Sequence, residues 1–135
     1  MKTTYVLNES IEIDATAFAI NSHEKDYKLC WYINKGLSVY FKKEREPKQI
    51  SKKTFTVFTT KYDGRNISLT KNQNKDGFLM PQKKNIDYFM TIEPRLNPLQ
   101  KEQFVQKLNK VSKILLTFEI DLNLEPEAHR LIFND

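Results

Sequence analysis

Asp63-Gly64 stands between two runs of residues that both favour extended backbone, 54–62 and 65–71. An Asp-Gly pair supplies the two positive-φ positions of a type I′ turn, whose twist matches that of paired strands, so the spacing predicts a tight hairpin. That hairpin fixes a register in which Tyr62 faces Arg65, Thr60 faces Ile67 and Phe58 faces Leu69. Phe58, Ile67 and Leu69 then share one face, while Phe55 and Val57 fall on the other. Apolar residues on both faces imply a sheet that is covered on both sides over part of its extent.

The rest of the chain is read around that hairpin. Ala17-Phe18-Ala19-Ile20 and Ser38-Val39-Tyr40-Phe41 are expected as short strands, 86–92 alternates as a third, and 114–122 forms a last long one. Residues 42–53 are charged, contain Pro47 and are expected as a loop. Residues 71–77, Lys-Asn-Gln-Asn-Lys-Asp-Gly, are expected as a polar turn or mobile loop.

Two helices punctuate these strands. The first is expected to begin near Asn21–Ser22, either of which can cap; with Asn21 as cap, Glu24 falls at the third helical position. The helical period puts Leu29, Ile33, Leu37, Cys30, Asn34, Tyr27 and Trp31 on one apolar arc. Lys25, Lys28, Tyr32 and Lys35 take the other side, and Gly36 is the expected stop. The second helix is expected at Asn97-Pro98, a cap followed by Pro at the first helical position. Its inward stripe is Phe104, Leu108 and Val111, with Leu99 and Val105 beside it. A tail opening at Pro126-Glu127 forms one helical turn towards Leu131-Ile132-Phe133. The order β-α-β-β-β-β-α-β describes an α+β fold with a mainly antiparallel sheet and two main helices, in a single domain over residues 1–135.

With 135 residues, nine Phe, six Tyr and one Trp, the chain can build a core without staples. A single Cys allows no internal disulfide. The first ten residues lack a signal-peptide core, and no run is long and apolar enough for a membrane span, so a cytoplasmic protein with no membrane partner is expected. The net charge of +5 is concentrated: residues 51–90 carry eight Lys/Arg against three Asp/Glu. Such a segment can mark a nucleic-acid partner, but its lysine-rich make-up favours a solvated face that keeps a small protein soluble. Arg, the better phosphate fork, occurs there once, as Arg65.

Motifs for chemistry are sparse. His23 and Cys30 lie two helical turns apart, about 10 Å along an axis, beyond reach of a nucleophile–base bond. No pair of His, Cys, Asp or Glu has the spacing of a zinc site, no Gly-rich phosphate loop occurs, and no nucleophile elbow is present. No catalytic residue, cofactor or metal is therefore expected. Two polar residues on the first helix remain unusual. Asp26 either steadies the helix start or lines a pocket, and Asn34 either meets a backbone edge or does the same. Asp87 and Tyr88 pose a similar choice, since the pleat puts them on opposite faces.

An ordered set of short elements resembles one known family. Met80-Pro81-Gln82-Lys83-Lys84-Asn85-Ile86-Asp87-Tyr88 is similar to the motif that names the IPExxxVDY family. Ser22-His23, Lys25-Asp26-Tyr27, Leu29 and Trp31, and Ile33-Asn34-Lys35 resemble its early elements, and Phe118-Glu119-Ile120-Asp121 its last strand. The resemblance runs from about residue 11 onwards. It implies a small intracellular bacterial protein of the α+β class and no assigned reaction. Gln82 stands where the motif has Glu, so any acid–base or metal role of that Glu is lost here. Met80 and Ile86 are apolar swaps.

These observations favour a non-enzymatic domain acting through protein contacts, with a second copy or another protein as partner. A nucleic-acid-binding module built on residues 51–90 is the first alternative. A small-ligand binder or enzyme around His23, Asp26, Asn34, Pro81, Asp87 and Tyr88 is the second.

Overall fold

The computed structural model describes residues 13–125 and 127–132. Six strands form one antiparallel sheet: β1 (Thr16–Asn21), β2 (Lys42–Lys43), β5 (Val57–Tyr62), β6 (Arg65–Lys71), β9 (Tyr88–Glu93) and β10 (Leu116–Ile120). Their spatial order is β10-β1-β9-β6-β5-β2. Two small hairpins flank it, β3 (Lys48–Ile50) with β4 (Lys53–Phe55) and β7 (Gln73–Asn74) with β8 (Gly77–Phe78). The helices are α1 (Asp26–Leu37), α2 (Pro98–Asn109) and a short α3 (His129–Ile132). The fold is α+β, as expected.

The Asp63-Gly64 hairpin has the expected register, with Tyr62 opposite Arg65, Thr60 opposite Ile67 and Phe58 opposite Leu69. Asp63 and Gly64 both take positive φ, 52° and 78°, as a type I′ turn requires. The strand before the turn differs from expectation. It breaks at Thr56, which lets Phe55 leave the main sheet and pair with Lys48 in the small hairpin. Part of the expected loop 42–53 is therefore strand.

Strand alternation divides the core in two. Phe18 and Ile20, Tyr88, Met90 and Ile92 face α1 and α2. Ala17, Ala19 and Phe89 face a second cluster with Ile50, Phe55, Leu79, Met80, Ile120 and Leu131. The central strands are thus covered on both sides.

The second helix keeps its expected start: Asn97 Oδ1 accepts from the Gln100 amide at 2.8 Å, and Gln100 Oε1 accepts from the Asn97 amide at 2.9 Å. Phe104 and Leu108 are buried, as is Val111 just beyond the helix, while Leu99 is exposed rather than packed beside them. The expected strand at 38–41 does not form; Val39 and Phe41 are buried as irregular backbone, and pairing begins only at Lys42. The last strand is shorter than expected. Pro126 and Phe133 of the expected tail lie outside the described residues, and the helical turn there begins at His129.

The first helix needs the most correction. It begins at Asp26, and its cap position, Lys25, makes no side-chain bond. Asn21 cannot cap because it belongs to β1: its side-chain oxygen accepts from the Asp87 amide at 3.1 Å, and its carbonyl accepts from Leu115 at 2.8 Å. The helix runs through Gly36 and ends at Ser38 in the left-handed region. Gly36 is required for a different reason. A Cβ there would lie 2.7 Å from Val111 Cγ2, so its lack of a side chain lets α1 and the end of α2 approach closely.

Candidate functional site

The residues singled out from sequence fall into three places. The first is the turn between β1 and α1. Asp87 extends the β1–β9 ladder with its side chain: Oδ2 accepts from the Ser22 amide at 3.0 Å, while the Asp87 amide donates to Asn21. Tyr88 leaves the sheet on the helix side, and its buried hydroxyl donates to the Glu24 carbonyl. The two neighbours point to opposite faces yet hold the same four-residue turn. Ser22 Oγ accepts from the Glu24 amide at 3.2 Å, closing the turn locally. Asp26 Oδ1 accepts from the Tyr27 amide at 2.7 Å at the helix start. His23 is exposed at the tip of this turn.

The second place is the far end of α1. Asn34 Oδ1 accepts from the Phe41 amide at 2.8 Å and so fastens the chain as it leaves the helix. Eight residues of helix, about 12 Å, separate it from Asp26, so the two polar residues of α1 do not share a site. The third place is the 3₁₀ turn that Pro81 opens after Met80.

That turn is organised by a residue the sequence did not single out. Asn72 is 0% exposed. Its side-chain nitrogen donates to the Lys83 and Ile86 carbonyls, each at 2.9 Å, and its side-chain oxygen accepts from the Met80 amide at 2.9 Å. Its backbone pairs with Asp87 and Leu79. One buried amide therefore shapes the segment 80–87, whose carbonyls and amide face inward with no strand partner. The expected polar turn at 71–77 hides this, because the partners lie eight to fourteen residues further on.

The electrostatics of the first place oppose nucleophilic chemistry. Burial, with a smaller contribution from the nearby Asp26 charge, pushes the Cys30 thiol up to about 12. A catalytic thiol needs the opposite shift. Burial likewise pushes the Tyr88 phenol well above its ordinary value, reinforced by Asp26, Cys30, Asp87 and Glu24. Among the described residues no three His, Cys, Asp or Glu side chains converge as metal ligands would.

The outer flank of α1 is a different surface. Tyr27 is 60% exposed and Trp31, one turn on, is 51% exposed. The expected arc was too wide. Leu29, Cys30, Ile33 and Leu37 fill the stripe that meets the sheet, which leaves Tyr27 and Trp31 outside it. Tyr32, expected on the solvent side, instead packs partly against the core and meets Trp31 edge to face, with ring centroids 5.0 Å apart. Lys35 Nζ lies 4.5 Å from the centre of the Trp31 ring. Tyr27, Lys28, Trp31 and Tyr32 together line an open surface concavity.

The basic segment is distributed over several elements. Lys83 pairs with Glu125 at 3.0 Å, and Arg65 Nε donates to the Pro94 carbonyl at 3.1 Å. Phe55 and Phe58 are buried, so neither offers a ring to a base. Lys84 lies over the partly exposed Phe78 ring at 5.6 Å, and Lys53 reaches Gly77 in the same hairpin. Among the described residues no helix is long and apolar enough to cross a membrane. No family model, curated protein or solved structure matches the chain.

Proposed function

We propose that this chain is an IPExxxVDY-type cytoplasmic protein that acts as a non-enzymatic protein-interaction domain, and that it engages its partner through the outer face of α1. The exposed Tyr27–Trp31 pair carries the reading. Aromatic rings of this kind supply large contact area at small entropic cost and are enriched where proteins meet. Lys28 and Lys35 border the rings, and Lys25 is exposed at the helix start. A partner presenting an apolar side chain beside carboxylates complements that surface in shape and charge.

The residues that carry the family resemblance support the same conclusion. Leu29 and Ile33 are core, Asn34 fastens the end of α1, and Asp87 and Tyr88 clamp the turn before it. Each of these has a structural task. Tyr27 and Trp31 have none of comparable weight, and their exposure calls for an external contact.

Trp31 is the chain's sole tryptophan, so the face has its own reporter. A photo-crosslinking residue placed at position 27 in the full chain should form a discrete protein adduct in cells, with Trp31 emission shifting blue on binding. The same crosslinker at exposed Lys61 should give none, and Trp31→Asp should abolish the adduct made from position 27. Equal labelling from positions 27 and 61 overturns the reading. A specific observation favours one second reading, anionic-strand binding at the Lys53, Lys84 and Phe78 cluster. It requires single-stranded RNA or DNA affinity that falls steeply with salt and is lost in Lys84→Glu.

A further inference from the structure

We propose that β10 pairs edge to edge with β10 of a second copy of this chain, antiparallel about Thr117, joining the two six-stranded sheets into one. The inference concerns a surface separate from the α1 face and does not depend on that reading.

The phase of the sheet shows which backbone groups of β10 point outward. A two-residue hairpin makes Tyr62 and Arg65 exchange both backbone bonds. Alternation then carries across the registers. Asn66, Ser68 and Thr70 turn towards β9, and Tyr88, Met90 and Ile92 turn towards β1. Ala17, Ala19 and Asn21 turn towards Ile120, Phe118 and Leu116. The amides and carbonyls of Thr117 and Glu119 therefore face away from the sheet, and no described strand lies beyond them.

The two edges of the sheet are protected very differently. At the other edge β2 has two residues, Lys42 and Lys43, and short charged edges resist pairing. β10 has five, and Leu116 and Phe118 on it are 50% and 40% exposed. Leu115, just before it, is exposed too. Its one charged side chain, Glu119, is held by Lys101 of α2 at 3.0 Å, so it guards the edge weakly.

The strand is also complementary to itself. Antiparallel pairing about Thr117 sets Leu116 opposite Phe118 of the second copy, twice by symmetry, in the non-hydrogen-bonded positions where side chains come closest. Pairing about Glu119 would instead place like charges together. Thr117 is 5% exposed and its Oγ1 is buried without a hydrogen-bond partner; pairing about that residue sets the two threonines side by side on one face. These features fit a second copy better than an unrelated strand.

An interface of one short strand pair is small, so dimerisation should depend on concentration over the micromolar to near-millimolar range. Sedimentation velocity on the full chain should show a monomer passing to a dimer there, with the Thr117 and Glu119 amides gaining hydrogen-exchange protection in step. Thr117→Pro removes an outward N–H that no described strand uses and should abolish the dimer while leaving the fold intact. Phe118→Lys should weaken association about tenfold, since symmetry counts the lost contact twice, and Leu116→Glu with Phe118→Lys should restore it. Trp31→Ala should leave the dimer unchanged, which separates this surface from the α1 face. A monomer at every concentration overturns the proposal, and so does a dimer that survives both Thr117→Pro and Phe118→Lys. A monomer in which both amides are protected at all dilutions overturns it as well, because the chain's own residues then cover the edge.

Discussion

Replacing Asn72 with Ala should be among the most damaging single substitutions in this chain. The side chain makes three hydrogen bonds at 2.9 Å, to the Lys83 and Ile86 carbonyls and from the Met80 amide, with no solvent contact. A typical intramolecular hydrogen bond contributes about 1 kcal/mol net, and a buried group left without a partner costs about 1–3 kcal/mol. Three bonds are lost and two groups, the Ile86 carbonyl and the Met80 amide, are orphaned, while the Lys83 carbonyl keeps the Ile86 amide at 3.1 Å, so the loss should be about 3–5 kcal/mol. A domain of this size has about 5–15 kcal/mol of stability, so the variant should be much nearer its unfolding threshold. Urea titration followed by Trp31 emission should show a large fall in midpoint with little change in slope. Asn72→Asp should be at least as harmful. It keeps the acceptor for Met80 but loses both donors and sets a carboxylate against two carbonyl oxygens. Asn66→Ala, at an exposed position on β6, should change stability by about 0.5 kcal/mol or less. If Asn72→Ala costs under about 1 kcal/mol, or if Asn72→Asp matches the wild type, the buried amide does not organise segment 80–87 and the reasoning fails.

Gly→Ala inside a helix ordinarily stabilises by about 0.5–1 kcal/mol, but Gly36→Ala meets Val111 Cγ2 at 2.7 Å. It should therefore cost about 1–2 kcal/mol, and Gly36→Ala with Val111→Ala should cost less than the sum of the two single changes in a double-mutant cycle. Tyr88→Phe removes the hydroxyl that holds the Glu24 carbonyl and should cost about 1–2 kcal/mol, with faster exchange of the amides in the first turn of α1. Alkali should destabilise the fold through Cys30. Its thiol has an ordinary value of 9.0 and is pushed up to about 12 by burial and Asp26, so above pH 9 the unfolded chain loses a proton that the folded chain keeps. Stability is complete below that value and falls by about 1.4 kcal/mol per pH unit as pH rises towards 12. The raised Tyr88 phenol adds in the same direction at higher pH. Cys30→Ala should flatten the first part of that curve in chemical denaturation; an unchanged slope would show that the thiol does not titrate as described.

The features legible in the sequence were those whose chemistry is complete within a few residues. Asp63-Gly64 closes its turn with its own backbone, and Asn97 exchanges bonds with Gln100, so local reading sufficed for both. Asn21-Ser22-His23-Glu24 has the local form of a capping sequence too. It does not cap because Asp87 claims the Asn21 side chain and the Ser22 amide from more than sixty residues away. Tertiary bonds overrode a sound local signal. Asn72 was illegible for a related reason. An Asn between Lys71 and Gln73 is ordinary turn composition, and only the return of 80–86 reveals that its amide is enclosed. Trp31 was misplaced by geometry rather than chemistry. The helix shows the sheet a stripe of only four buried residues, and apolar character alone does not say which flank of that stripe an aromatic occupies.

The pair Asp87-Tyr88 shows why the recognisable elements of this chain say so little about activity. The pleat separates the two side chains, one in the plane of the ladder and one towards the helices. A single side chain could satisfy either the Ser22 amide or the Glu24 carbonyl, but not both, because the turn rises out of the sheet between them. An acid followed by a tyrosine meets both needs at once, and Asp87→Ala and Tyr88→Phe should each loosen the same turn while leaving the other bond in place. Such a clamp fixes where α1 begins and hence the direction in which Tyr27 and Trp31 face. The motif's contribution to function is then indirect: it orients a helix whose exposed rings make the contact. A partner that binds through those rings should accordingly lose affinity in Tyr88→Phe without touching Tyr88, and an unaffected affinity would uncouple the clamp from the contact surface.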